Sequence, residues 1–412
     1  RDSAWDAAWR RAAERAAAGD SAAAAGSGGC ARAFIVTRLP NADLVDSPAF
    51  DGSIYDEDEG PVTEADLRQL SEILRNTPEV PWSVSPPSVR LLTPELVRFN
   101  RVEGLSLGVR AVLPLGPAEL RGELRAGTTG EVGARLSGAR ASPSLRTELG
   151  AYRGLEAVEV ASQPFTLASS ASALLLGRDE NDYFRATGAE LRFSPPAARR
   201  QSWDLRLFAE RQEGVRARED FSLRGLFDDA ALRENLAAER LDQAGATLRL
   251  RAARGDDPAG LRARAELALH GETGERTFAR PLLRLGADEL LGGSIGYGVS
   301  LAAGTGLGEV PAQRLFQVGG AATVRGHEAA ALRGESFWAA RAELTRGTPS
   351  FRLSLFGDAG WAGEGGEVGS SRPLRGAGAG VAFLDNLVRF DVARGIGEGG
   401  GWRVYLRIGG TL

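Results

Sequence analysis

The 412-residue chain has no lysine and no methionine, one cysteine, two histidines and an aromatic content of 7%. A single cysteine, Cys30, excludes an intrachain disulfide framework and any cysteine-rich zinc or iron–sulfur centre. Two histidines, His270 and His327, leave no basis for a histidine-based metal site, and neither a metal nor a cofactor is expected. No run of about 18 apolar residues exists, so no transmembrane helix is readable. Nor is there a charged-then-apolar signal peptide. Methionine is missing even at position 1, and the chain is read as a processed or trimmed product. Charge of one sign is also lacking: 50 basic against 54 acidic residues argue against nucleic acid as a partner. Catalytic signatures are missing too, with no Gly-x-Ser-x-Gly elbow, phosphate-binding loop or His-Glu-x-x-His helix, so enzyme activity is not expected.

Two textures divide what is present. Residues 1–90 read as a periplasmic N-terminal segment or linker with two helices. Trp5, Ala8, Trp9, Ala12 and Ala16 share one helical face after Asp2-Ser3. A Gly/Ser/Ala stretch, Gly19–Gly29, follows. Thr63 and Asp66 open a second helix carrying Leu67, Leu70 and Leu74. From residue 91 to 412 the pattern has period two. Glu119, Arg121, Glu123 and Arg125 alternate with Leu120, Gly122, Leu124 and Ala126; Arg403, Tyr405 and Arg407 alternate with Trp402, Val404, Leu406 and Ile408. Successive side chains on a strand face opposite ways, so each segment is a ribbon with one apolar and one charged face. A helix would spread those charges around its circumference.

Fifteen such segments are readable, from Val102–Leu113 and Ala118–Gly127 to Val388–Ile396 and Gly401–Leu412. A sixteenth, hidden in Pro164–Gly177 or before Asn100, would give the even number usual for bacterial barrels. Most run about 10 to 14 residues, longer than the usual globular strand of about 5 to 6 and suited to a tilted crossing of a bilayer. The apolar face is Leu, Val, Ala, Gly and Trp with hardly any charge, as lipid contact requires. The fold expected is all-β, a transmembrane antiparallel β-barrel of about 16 strands behind a short, partly helical N-terminal segment. Trp338, Trp361, Trp402, Tyr183, Phe184 and Phe351 are the candidates for the interfacial aromatic girdles. The long breaks Val215–Arg240 and Gly306–Glu335 are loops. The acidic stretch Asp179–Asp182 lacks a twelve-residue calcium-loop spacing and reads as solvated loop charge.

The most specific residues lie near the C-terminus. Gly319–His327 reads GGAATVRGH within the second long loop; Ser336–Leu344 ends in Ala-Glu-Leu; and Phe356-Gly357-Asp358-Ala359-Gly360 closes the strand after it. This ordered set resembles the BamA-like outer-membrane insertase superfamily, the bacterial surface antigen proteins. Phe99–Leu105 resembles that family's first barrel strand, and Asp179, Asp182, Tyr183 and Phe184 resemble its acidic–tyrosine–aromatic cluster. The resemblance implies a loop folded back into the barrel with Val324, Arg325, Gly326 and His327 at its tip. It further implies that Arg325 pairs with the lumenal acidic residues Glu343 and Asp358, beside Phe356 and Gly360 of the lumenal motif. Two departures stand out: His327 replaces an aromatic residue, and the chain ends in Leu412 where an aromatic is common. Residues 1–90 do not resemble a POTRA domain.

Strand parity is an independent test of the pairing. Trp338, Ala340, Ala342 and Leu344 share one face, leaving Glu343 on the other with Arg341; Phe351, Leu353 and Leu355 share a face, leaving Phe356 and Asp358 on the other. Both carboxylates therefore point into the lumen. A guanidinium presents five donors in a fixed fork and can engage carboxylates bidentately. The function expected is assistance to assembly, insertion or translocation of polypeptide or lipid at the bacterial outer membrane, through a weak seam between the first strand, near Asn100–Leu113, and the last, Gly401–Leu412. The alternative is a passive barrel serving as anchor or pore for an N-terminal passenger. Expected partners are outer-membrane lipid and unfolded outer-membrane proteins or periplasmic assembly factors, met by a monomer.

Overall fold

The computed structural model describes residues 86–408, apart from 92, 94, 159–162, 197–199, 228–231, 256–259, 292–293, 349, 366–371 and 385, together with Arg68. The first helix expected in residues 1–90 falls outside the described residues, and so does the second except for Arg68, which is helical.

The chain forms one antiparallel meander. Its strands are β1 (Ser88–Leu91), β2 (Val97–Asn100), β3 (Gly104–Leu115), β4 (Ala118–Gly127), β5 (Val132–Ala141), β6 (Arg146–Ala157) and β7 (Tyr183–Ser194). After these come β8 (Gln201–Gly214), β9 (Leu241–Arg254), β10 (Arg262–Gly274), β11 (Phe278–Leu290), β12 (Ile295–Gly304) and β13 (Leu307–Gly308). A small hairpin, β14 (Phe316–Val318) with β15 (Leu332–Gly334), lies inside the loop before β16 (Ser336–Gly347). The last four are β17 (Phe351–Gly363), β18 (Leu374–Phe383), β19 (Val388–Ile396) and β20 (Trp402–Ile408).

Each of the fifteen long strands pairs with the next, and the ladder passes from β12 directly to β16. The sixteenth strand lies before Asn100, in two pieces. β1 and β2 lie end to end along the free edge of β3, with Leu91 opposite Val109 and Val97 opposite Leu107. The intervening stretch contains a proline, Pro94, which has no amide hydrogen to give to a ladder. Pro164–Gly177 is not a strand but contains a helix, α1 (Leu167–Leu176). Its small and leucine residues have no period-two alternation, and Thr166 caps it through a reciprocal hydrogen bond with Ser169. At the start of the barrel, Val102 and Glu103 belong to the turn between β2 and β3 and not to a strand.

The two faces segregate as alternation requires. On β17, Leu353 and Leu355 are exposed on the outside while Ser354, Phe356 and Asp358 are buried inside. Inside, carboxylates bridge arginines within and across strands: Glu190 engages Arg135, Arg192 and Arg206, and Glu266 engages Arg251 and Arg284. Three expected girdle residues are buried instead: Tyr183 packs with Val102, Leu155 and Val215, Phe184 packs with Tyr152 and Val158, and Trp361 is buried near the end of β17. Trp402 and Phe351 are exposed as a girdle requires. Together these features describe a membrane barrel, with its short turns at the periplasmic end and its long loops at the extracellular end.

An arginine introduced on the lipid face tests this assignment. Leu355 is exposed opposite Leu344 on the neighbouring strand, which is also exposed. Leu355→Arg is expected to cost about 2–4 kcal/mol in urea unfolding from bilayers. Leu355→Ile is expected to stay within about 1.5 kcal/mol of the parent.

Candidate functional site

The loop between β13 and β16 turns back into the barrel, and its apolar residues explain why. Phe316, Val318 and Val324 are buried against Phe337, Ala339 and Ala362, with the rings of Phe316 and Phe337 stacked at 4.4 Å between centroids. At its root, the buried Gln313 side chain donates to Gln212 at 3.0 Å, and Arg314 pairs with Glu272 at 2.6 Å and Glu210 at 3.2 Å. His270 is part of the same wall, with Thr247 Oγ1 2.8 Å from its Nδ1 and Glu272 2.9 Å from its Nε2.

At the tip, Arg325 is buried. Its Nε and Nη2 donate to the two carboxylate oxygens of Asp358 at 2.7 and 2.8 Å, and its backbone N–H donates to the same group at 3.1 Å. Its Nη1 donates to Asp391 at 3.1 Å, and the guanidinium lies 3.3 Å from the centroid of the Phe356 ring. Gly326 has φ +91°, and a Cβ there would fall 2.1 Å from the backbone nitrogen of Gly395. Its N–H donates to the Tyr405 hydroxyl at 2.9 Å. Gly360 lies beneath the loop, where a Cβ would meet Val318 and Val324 at 3.0 Å.

The acidic partners are distributed differently from the expectation. Asp358 sits against Arg325, but Glu343 approaches it only to 3.9 Å and instead takes Arg389 through both oxygens, at 2.5 and 2.6 Å. Arg325's second carboxylate is Asp391 on β19, which also accepts from Arg389 at 2.7 Å and Arg407 at 2.8 Å. Asp391 and Arg389 alternate with Val388, Phe390 and Val392, so parity marked them as lumenal; the local motif simply did not extend to that strand. His327, next to the tip, is buried, and its Nε2–H donates to the carbonyl of Arg375 at 2.8 Å.

A second ionic cluster closes the extracellular end. Asp182 is fully buried and engages Arg101 at 2.7 Å, Arg233 at 2.9 Å and Arg333 at 3.0 Å, and accepts from Gln317 at 2.9 Å. Arg101 also donates to the Asp179 carbonyl at 2.7 Å, and Asp179 accepts from the Tyr183 hydroxyl at 2.8 Å. The stretch 179–182 is thus an internal tie and not solvated charge. It joins the β2–β3 turn and three long loops. Burial alone would raise the Asp182 carboxyl, but Arg233, Arg101 and Arg333 outweigh it and hold the group below the usual aspartate value.

The Omp85 superfamily domain matches residues 276–409, the stretch that holds the infolded loop and the lumenal partners of Arg325. No curated protein matches the chain. BamA from Haemophilus ducreyi, crystallised without POTRA domains 1–3, is similar with a TM-score of 0.54 and 14% identity, over 78% of this chain and 69% of that one. CdiB from Acinetobacter baumannii aligns at a TM-score of 0.44 and 14% identity, over 82% of this chain and 67% of its own. At such identities the likeness to BamA is one of fold.

Two measurements test the two clusters. Arg325→Ala is expected to cost about 3–5 kcal/mol, since it strands buried carboxylates. In double-mutant cycles followed by urea unfolding, Arg325 should couple more strongly to Asp358 than to Glu343; the reverse order would reject Asp358 as the main partner. For Asp182 the depressed value means its stabilising contribution is present above the ordinary aspartate pKa of about 3.9 and is lost as pH falls through the lower folded value. Hydrogen-exchange protection factors in residues 232–240, corrected for the intrinsic pH dependence of exchange, should therefore be unchanged between pH 7 and 5 and fall only below about 4.

Proposed function

We propose that this bacterial outer-membrane barrel, whose C-terminal third carries the Omp85 superfamily domain, assists the insertion or translocation of unfolded polypeptide at a seam between its first and last strands. The observation that carries this reading is the state of the first strand. It is broken into two four-residue pieces, whereas the strands from β3 to β12 run ten to fourteen residues. A strand so divided can offer only a short ladder to β20, and an incompletely paired edge is where an incoming strand adds. The seam edge is therefore β2 and not the stretch after Asn100.

The lumen supports the same reading over a passive pore. The loop that carries Arg325 is tied at its root to β8 and β10 and at its tip to β17 and β19, and Gly326 is bonded to Tyr405 on β20. Beside the loop tip lies a cavity of about 890 Å³ lined by Arg325, Arg341 and Glu343. The fixed loop keeps the wall beside the last strand rigid while the first strand yields. Its chemistry is mechanical: no covalent step is involved, and the substrate gains main-chain hydrogen bonds and leaves water for lipid.

Proteoliposomes containing the full chain are expected to accelerate insertion of a small unfolded outer-membrane barrel over empty vesicles, with low single-channel conductance in planar bilayers. High conductance without faster insertion would reject the reading in favour of a passive pore or anchor.

A further inference from the structure

Helix α1 lies at the seam itself. Strand geometry shows which backbone groups face it. Leu96 accepts from Gly108 on the β3 side, so by alternation Phe99 points its N–H away from β3. Gly401 accepts from Gly395 on the β19 side, so Val404 points its carbonyl away from β19. Both therefore face the gap between the first and last strands. Neither is left to water: Phe99 N–H donates to Ser170 Oγ on α1 at 3.0 Å, and the Val404 carbonyl accepts from Arg178, just past the helix.

The helix is composed for this position. Ser170 and Ala173 are its buried residues, small enough to let it approach the strand edge. Thr166, Ser169 and Ser172 line the lumenal cavity, while Leu167 and Leu175 are exposed. A ten-residue helix has little stability of its own in water, so its order depends on this docking. From those contacts we propose that α1 is a displaceable clamp: it holds the edge positions that an extended polypeptide segment would take, and substrate entry requires it to leave. This inference rests on the insertion reading and names its regulation. The exchange favours a strand, because two hydrogen bonds hold the clamp at the edges named here, whereas an antiparallel strand gains about two for every residue that faces the edge.

Two experiments on the full chain in a Cys30→Ser background decide the matter. In the first, hydrogen exchange at the Phe99 amide should be at least tenfold faster in Ser170→Ala than in the parent. It should be unchanged in Ser172→Ala, with β8 to β10 unaltered in both. Equal protection in Ser170→Ala would overturn the clamp whatever the insertion activity. In the second, cysteines replacing Phe99 and Ser170 are joined by a reducible bismaleimide. Insertion of the test barrel should fall at least fivefold and return on reduction. Undiminished insertion by the tethered form would overturn the clamp while leaving the insertion reading standing. If the untethered parent gave no acceleration, the insertion reading would fall, and with it the clamp's role in substrate entry; the exchange result would then report only whether α1 guards the edge.

Discussion

A guanidinium taken out of water must find its compensation in place, and the interior of this barrel is organised around one that does. Arg325 meets two carboxylates from different strands and an aromatic face, and those carboxylates are shared in turn with Arg341, Arg389 and Arg407. Desolvating so many charges is costly, and the return depends on close geometry with every lone pair engaged. Such a network tolerates little displacement. It converts a loop of about thirty residues, which would otherwise sample many conformations, into a fixed part of the wall.

The extracellular end repeats the logic with the signs exchanged. There a single carboxylate, Asp182, is the centre and three arginines from separate segments converge on it. Arg333 and Gln317 come from the infolded loop, so the same loop belongs to both clusters. A segment tied at its root, its hairpin and its tip cannot move as a gate without breaking several buried pairs together. Motion is cheaper where the contacts are few, and that is the divided first strand and the helix beside it.

Alternation along the chain was enough to read fifteen strands, the two faces and the lumenal placement of Asp358 and Glu343, because period two is a local property of extended backbone. What it could not supply was lateral distance. Glu343 and Asp358 both face the lumen, yet which one reaches Arg325 depends on barrel register and on a competitor, Arg389, two strands beyond Asp358. Asp391 was overlooked for the same reason. Tyr183 and Phe184 have the composition of girdle residues, and only packing against neighbouring strands and loops decides that they are core. Helix α1 was hidden by its composition, since serine, alanine and leucine over ten residues show neither clean amphipathic spacing nor alternation.

On the insertion reading proposed above, the position of α1 resolves a tension inherent in a barrel that opens. Hydrocarbon does not tolerate bare backbone groups, so an edge cannot simply be left unpaired beside lipid. A fully laddered seam would meet that demand and resist opening along its whole length. A helix meets it differently: its own backbone groups are satisfied internally, and it can lend a serine hydroxyl and an arginine to the neighbouring edges. Releasing it breaks a few side-chain contacts at once instead of unzipping a ladder rung by rung. Closure and access then become compatible, because the element that seals the edge is held there by side chains and not by the sheet.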